Sequence, residues 1–145
     1  MKRFLCGLLI ALMIVPFASS ESIDIDDPEW QNKSIMYGEL KEWIRYDDDI
    51  MGKQLVVKVK IHGQLTNDMT VKQNYINVWY IAKTGLFHDY IIQYWAVADM
   101  IDGSVKKVVS FDVPASIVNL LETDKFPWSY LPDYVDNLWI LPSLR

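Results

Sequence analysis

Cysteine is all but missing from this chain: the one residue, Cys6, falls inside an early apolar run, and nothing after it carries a thiol. Disulfide staples, thiolate nucleophiles and cysteine-ligated metal centres are excluded with it. Histidine is nearly as scarce. His62 and His88 stand alone, and neither is spaced to a second ligand as a helical zinc pair would be. Only six glycines are present, with no Gly-rich phosphate cradle and no Gly-x-Ser-x-Gly elbow. Basic residues are outnumbered as well, 14 Lys and Arg against 19 Asp and Glu, for a net charge of −5. Losing Lys2 and Arg3 with a leader would leave 12 basic against 19 acidic groups, or −7. Phosphate backbones and anionic lipid both need a cationic surplus, so neither nucleic acid nor a charged membrane surface is expected as a partner.

No apolar run is long enough to span a bilayer. The longest, Phe4 to Phe17, falls short of the ~20 residues a spanning helix requires. Lys2-Arg3, that run, and Ala18-Ser19-Ser20-Glu21 instead make the three parts of a secretory signal. Residues 1–20 are therefore expected to be a signal peptide, cleaved before Glu21. The mature chain would be secreted or held in the periplasm or cell envelope, with no stable membrane insertion after cleavage. Cys6 precedes most of the run, whereas the cysteine of a lipoprotein would follow it, so no lipid anchor is expected. An exported domain without cystine points to a bacterial envelope or extracellular protein.

What remains is one domain's worth of chain, rich in aromatic side chains that can supply a core without staples. Residues 21–36, with Asp24, Asp26, Asp27 and Pro28, read as a flexible acidic lead. Residues 37–145 read as a single α+β domain. From Gly38 a strand pattern sets Leu40, Ile44 and Tyr46 on one side and Lys41, Trp43 and Arg45 on the other. After Asp47-Asp48-Asp49 and Gly52, the alternation of Leu55, Val57, Val59 and Ile61 with Lys58, Lys60 and His62 is that of a half-buried strand. These two segments pair as a hairpin. Thr70-Val71-Lys72-Gln73 has the form of a capping box, and Val71, Tyr75, Val78, Trp79 and Ala82 follow at helical spacing. Gly85 supplies a left-handed stop.

A second hairpin turns at Asp102-Gly103. A two-residue turn there pairs positions whose numbers sum to 205: Ala96 with Val109, Tyr94 with Phe111, Ile92 with Val113 on one apolar face, and Asp99 with Lys106 across the strands. A short helix after Pro114 buries Ile117, Val118 and Leu121, and residues 137–141 read as a last strand ended by Pro142. The expected fold is α+β: a single antiparallel sheet of about five strands packed against one main helix, in the order β-β-α-β-β-(short α)-β.

No catalytic residue, metal ligand or cofactor is assigned. The acidic clusters at 24–27 and 47–49 suit a hard cation in type, but the calcium-loop spacing fails, with Met51 at the fifth position and Lys58 at the twelfth. The register points instead to a tryptophan-bearing, locally basic sheet face made of Trp43, Arg45, Lys58, Lys60, His62 and Trp95. Such a face anchors a protein, peptide or glycan ligand when bare, because flat rings stack on apolar groups beside hydrogen-bonding neighbours. Alternatively the aromatic segment 123–135 folds over it, and Trp43 and Trp95 become core. The leading expectation is a small secreted, non-catalytic binding or interaction module of the bacterial envelope or extracellular space. A small hydrolase acting on polysaccharide or peptide is the alternative, and it requires at least two of Asp99, Asp102, Asp133 and Asp136 to converge on a cleft. A third reading uses Leu138 to Leu141 as an edge strand that pairs with another chain.

Overall fold

A computed structural model describes residues 23–145. The expected signal peptide lies outside the described residues. The stretch expected as a loose lead carries a helix, α1 (Pro28–Lys33), opened by Pro28 and capped by the Asp27 carboxylate on Glu29 N. It docks through Trp30, whose ring meets Trp43 edge-on at 5.9 Å, while Ile35 behind it is buried. Six residues are too few to display an apolar period, which is why the pattern alone misses this helix.

The rest follows as β1 (Glu39–Asp48), β2 (Gly52–Lys60), α2 (Asn67–Ala82), β3 (Ile91–Asp99), β4 (Val105–Val113), α3 (Ala115–Glu122), a 3-10 turn (Trp128–Asp133), β5 (Asp136–Ile140) and a terminal 3-10 turn (Pro142–Leu144). The five strands lie side by side in chain order. The α+β class and the strand count agree with the sequence reading, but the sheet is mixed rather than antiparallel. Strands β2 and β3 run parallel, while β1–β2, β3–β4 and β4–β5 are antiparallel. Two hairpins joined by a helix force this result. The helix carries the chain from the end of β2 back along the sheet, so β3 starts beside the start of β2.

The main helix begins a turn earlier than the capping-box reading places it. Thr66 is the N-cap, its side chain accepting from Met69 N. Thr70 is buried, where its hydroxyl accepts from Gln64 N and donates to Thr66 O, and Gln73 Nε2 donates to His62 O. These two residues tie the helix to the chain leaving β2. Helix α2 is also polar on its inner side: Gln73, Asn74 and Asn77 are buried along with Val71, Tyr75, Val78, Ile81 and Ala82. Trp79, expected in the core, is only half-buried, with Lys83 Nζ near its ring. Gly85 has the left-handed φ of +73° expected of the stop.

The second hairpin reaches the expected register by a different route. Ala96–Val109, Tyr94–Phe111 and Ile92–Val113 pair as read. At the tip, however, Asp99 faces Val105 and Ala98 faces Lys106, so the expected Asp99–Lys106 pair does not form. Met100 and Ser104 bond across a three-residue loop, and in it only Gly103 has positive φ, at +83°. That is the type I turn with a left-handed Gly, not the primed two-residue turn, which needs positive φ at Asp102 too. The longer loop shifts the pairing sum to 204. An irregularity between Ala96 and Val97 then admits Val108 as an unpaired residue and restores 205.

Leu55, Val57, Val59, Ile92, Tyr94, Ala96, Val109, Phe111 and Val113 are all at most 1% exposed and form one side of the core. The inner residues of α2 and of α3, with Phe126 and Leu131 from the late segment, close over that same side. Tyr94 stacks on Phe111 at 5.2 Å, and Phe111 also meets Tyr75 of α2. Helices and late segment thus share one side of the sheet, and no described element lies across the other. Among the described residues no helix is long and apolar enough to cross a membrane.

Candidate binding surface

Strand register decides which residues share the bare side. Glu42 pairs with Lys58, Lys58 with Trp95, Trp95 with Ser110, and Ser110 with Trp139. One row therefore crosses all five strands, and it puts Trp95 and Trp139 on the same face two strands apart, about 9–10 Å. The adjoining row runs Ile44, Val56, Gln93, Asp112, Asp136. On the other flank Val97 sits between Lys60 and Lys107. It is buried although it is not part of the main core, consistent with long lysine stems lying over it.

Both indoles on this face carry a lysine. Lys58 Nζ lies 4.5 Å from the Trp95 ring centroid and Lys107 Nζ lies 4.6 Å from that of Trp139. Lys60 is engaged differently, in an ion pair with Asp99 at 3.1 Å. Beside Trp95 the small side chain of Ser110 leaves a shallow trough of about 340 Å³, lined by Val56, Gln93, Tyr94, Trp95, Lys107, Ser110 and Asp112. Asp112 accepts from Asn137 Nδ2 at 2.8 Å, whereas neither the Gln93 amide nor the Ser110 hydroxyl is held by a side chain among the described residues. The floor offers an acceptor-only group, a donor-only group and two groups that do both.

The six residues read from the sequence as one face are divided by the structure. Lys58, Lys60 and Trp95 lie together on the bare side. Trp43 and Arg45 lie on the core side, opposite Val57 and Leu55. An irregularity between Leu40 and Glu42 leaves Lys41 unpaired, so Leu40, Trp43 and Arg45 face inward and Ile44 and Tyr46 face out. Trp43 packs among Trp30 and Phe87, and Arg45 Nη2 donates to Asp26 at 3.2 Å. Hydrogen bonds to Asp26 and then to Tyr90 raise the Arg45 pKa further above its usual value, so this cation is consumed inside the fold. His62 is exposed beyond the end of β2, where its carbonyl accepts from Gln73 and Gln64. Sequence reasoning missed Trp139, Lys107, Gln93, Ser110 and Asp112. The register it proposed already placed Gln93, Ser110 and Asp112 beside Trp95, but Trp139 needed the pairing of β5 with β4.

Of the expected alternative, Trp43 does belong to the core side, but residues 123–135 form no lid over Trp95. Phe126 and Leu131 are buried in the main core, and Tyr130 and Tyr134 pack edge-on against Phe126 on that side. The carboxylates of which a hydrolase needs at least two are each engaged or placed apart. Asp99 is paired with Lys60, and Asp102 accepts from Ser104 N and Oγ at the hairpin tip, which holds it below the usual carboxylate range. Asp133 is exposed on the 3-10 turn, and Asp136 pairs with Asp112 toward the opposite end of β4. The acidic clusters are likewise occupied: Asp27 caps α1, Asp26 holds Arg45, and Asp48 accepts from Ile50 N and Met51 N in the first hairpin. Among the described residues no three His, Cys, Asp or Glu side chains gather as metal ligands would. Compared with family models, curated proteins and solved structures, the chain matches none.

Proposed function

We propose that this chain is a small exported binding module that performs no chemistry, its ligand seated on the bare side of the sheet. The observation that carries this reading is the row in which Trp95 and Trp139 flank Ser110 on a face that no described element covers. Half-buried aromatic rings on an otherwise polar surface are costly to leave in water and are the residues that most often anchor a partner. The leader pattern of residues 1–20 supports export, and the envelope or extracellular space is then where the ligand is met.

Intrinsic fluorescence during titration with purified cell-wall material tests this. The reading expects a saturable change in emission that is lost in Trp95→Phe/Trp139→Phe and retained in Trp79→Phe. Emission that stays flat at saturating material counts against it.

A further inference from the structure

Resting on that reading, we propose that the ligand is a polysaccharide chain bearing carboxylates along its length, laid across the strands from Lys58 to Lys107. Acid is plentiful in this protein, with 19 carboxylates for 14 cations. Among the described residues Lys33, Lys41, Arg45, Lys60, Lys72 and Lys83 all have a carboxylate within ion-pair distance. Among the same described residues Lys53, Lys58, Lys106, Lys107, Lys125 and Arg145 have none, and of these only Lys58 and Lys107 are held over an indole. A cation–π contact fixes where an ammonium sits without neutralising it, so both charges stay available to an incoming anion. Two oriented cations without an ion-pair partner on the bare face of an acidic protein complement a ligand with repeated negative groups.

The rest of the row argues for sugar. The backbone groups of the central strands are used in the ladder, so a polypeptide finds no strand edge on this face to extend. A pyranose chain presents hydroxyls that both donate and accept, as the Gln93 amide and Ser110 hydroxyl do, and Asp112 can accept from a hydroxyl. Its apolar ring faces can pack beside the indoles, which stand on strands about 9–10 Å apart. The acids on this face fix the orientation: Glu42 lies opposite Lys58, and Asp112 and Asp136 occupy the next row. Carboxylates of the ligand are therefore directed along the lysine–tryptophan row, with its hydroxyls toward Asp112.

The test is a fluorescence titration of the chain with three probes: an oligogalacturonate, the same oligosaccharide with its carboxyls reduced to alcohols, and poly-glutamate. The proposal expects the uronate to bind, the neutral sugar and the polypeptide to bind at least about tenfold more weakly, and added salt to weaken the uronate. Lys58→Gln/Lys107→Gln is expected to weaken uronate binding by about tenfold or more, with the circular dichroism spectrum unchanged. Equal affinity for the neutral sugar or for poly-glutamate overturns the ligand class, as does uronate binding indifferent to the lysine pair. Failure of all three probes overturns it too. If cell-wall material still perturbs Trp95 in that case, the bare face remains the binding site and only its ligand was misassigned; if it does not, both readings fall together.

Discussion

Asn77 offers the most telling perturbation of the interior. Its side chain is fully buried on α2 and makes three hydrogen bonds. Oδ1 accepts from Tyr37 N at 2.7 Å, and Nδ2 donates to Tyr37 O at 2.8 Å and to the Tyr94 hydroxyl at 3.0 Å. The amide thus holds both backbone groups of Tyr37, two residues before β1, as a neighbouring strand would, while the Tyr94 hydroxyl donates to Asn74 Oδ1 at 2.7 Å. Asn77→Leu keeps the volume and removes all three bonds. A buried group left unpaired costs about 1–3 kcal/mol, so the two Tyr37 groups together make about 3 kcal/mol the expected loss, with water reaching them on the exposed Tyr37 setting a floor near ~1 kcal/mol. Tyr94→Phe orphans Asn74 Oδ1 and is expected to cost about 1–3 kcal/mol. Because the Asn77–Tyr94 bond is lost in both, the double variant should fall short of the sum by about 0.5–1.5 kcal/mol. Urea unfolding followed by far-ultraviolet circular dichroism, at unchanged m, measures all four corners of the cycle. A loss below about 1 kcal/mol for Asn77→Leu, or strict additivity, would refute the network as drawn.

Three further outcomes follow from the same geometry. Gly38→Ala should destabilise by about 1–3 kcal/mol in the same assay, because φ is +102° and a Cβ would come within 2.5 Å of Lys60 O. Phe111→Ala, between Tyr75 and Tyr94, should cost about 3–5 kcal/mol, whereas Trp95→Ala on the bare face should cost about 1 kcal/mol; equal losses would contradict the division of the two faces. Burial raises the Tyr94 hydroxyl pKa and pushes Tyr75 up to about 12. An unfolded tyrosine ionises near ~10, so above that pH the native state holds more protons than the unfolded one. Stability is full below pH ~10 and falls as pH rises beyond it, by about 1.4 kcal/mol per unit for Tyr94 alone, and Tyr94→Phe should flatten that decline in urea titrations.

How far the residues alone disclose this fold depends on whether a feature is local. The β3–β4 pairing was legible because Tyr94, Phe111, Ile92 and Val113 alternate strictly, and a slip would bury charge. From Ala96 to Ile92 the register agrees although the turn differs, because a longer loop and the extra residue Val108 offset one another; at the tip it is shifted by one. The face of Trp43 was not legible. A single unpaired residue at Lys41 reverses every side chain after it, and nothing in the composition of residues 39–48 marks that point. The parallel join of β2 to β3 is equally non-local, decided by where α2 deposits the chain. Buried Asn74 and Asn77 defeat an apolar-stripe reading because their partners, Tyr37 and Tyr94, come from distant segments. The candidate surface was half visible for the same reason: Trp95 and Lys58 come from clear alternation, while Trp139 and Lys107 depend on a strand at the chain's end and on the irregular hairpin tip.

Thiol labelling tests the central division into a buried and a bare face most directly, since Cys6 is the only native thiol and can be replaced by Ser. Val109 is fully buried on the core side and its chain neighbour Ser110 is half-buried on the other, at the floor of the trough. Single cysteines at these adjacent positions should therefore differ sharply under native conditions. Ser110→Cys reacts readily with a small maleimide, and Val109→Cys reacts only as fast as the domain opens. Equal protection of both would mean the proposed ligand face is covered, and rapid labelling at position 109 would mean the register itself is wrong.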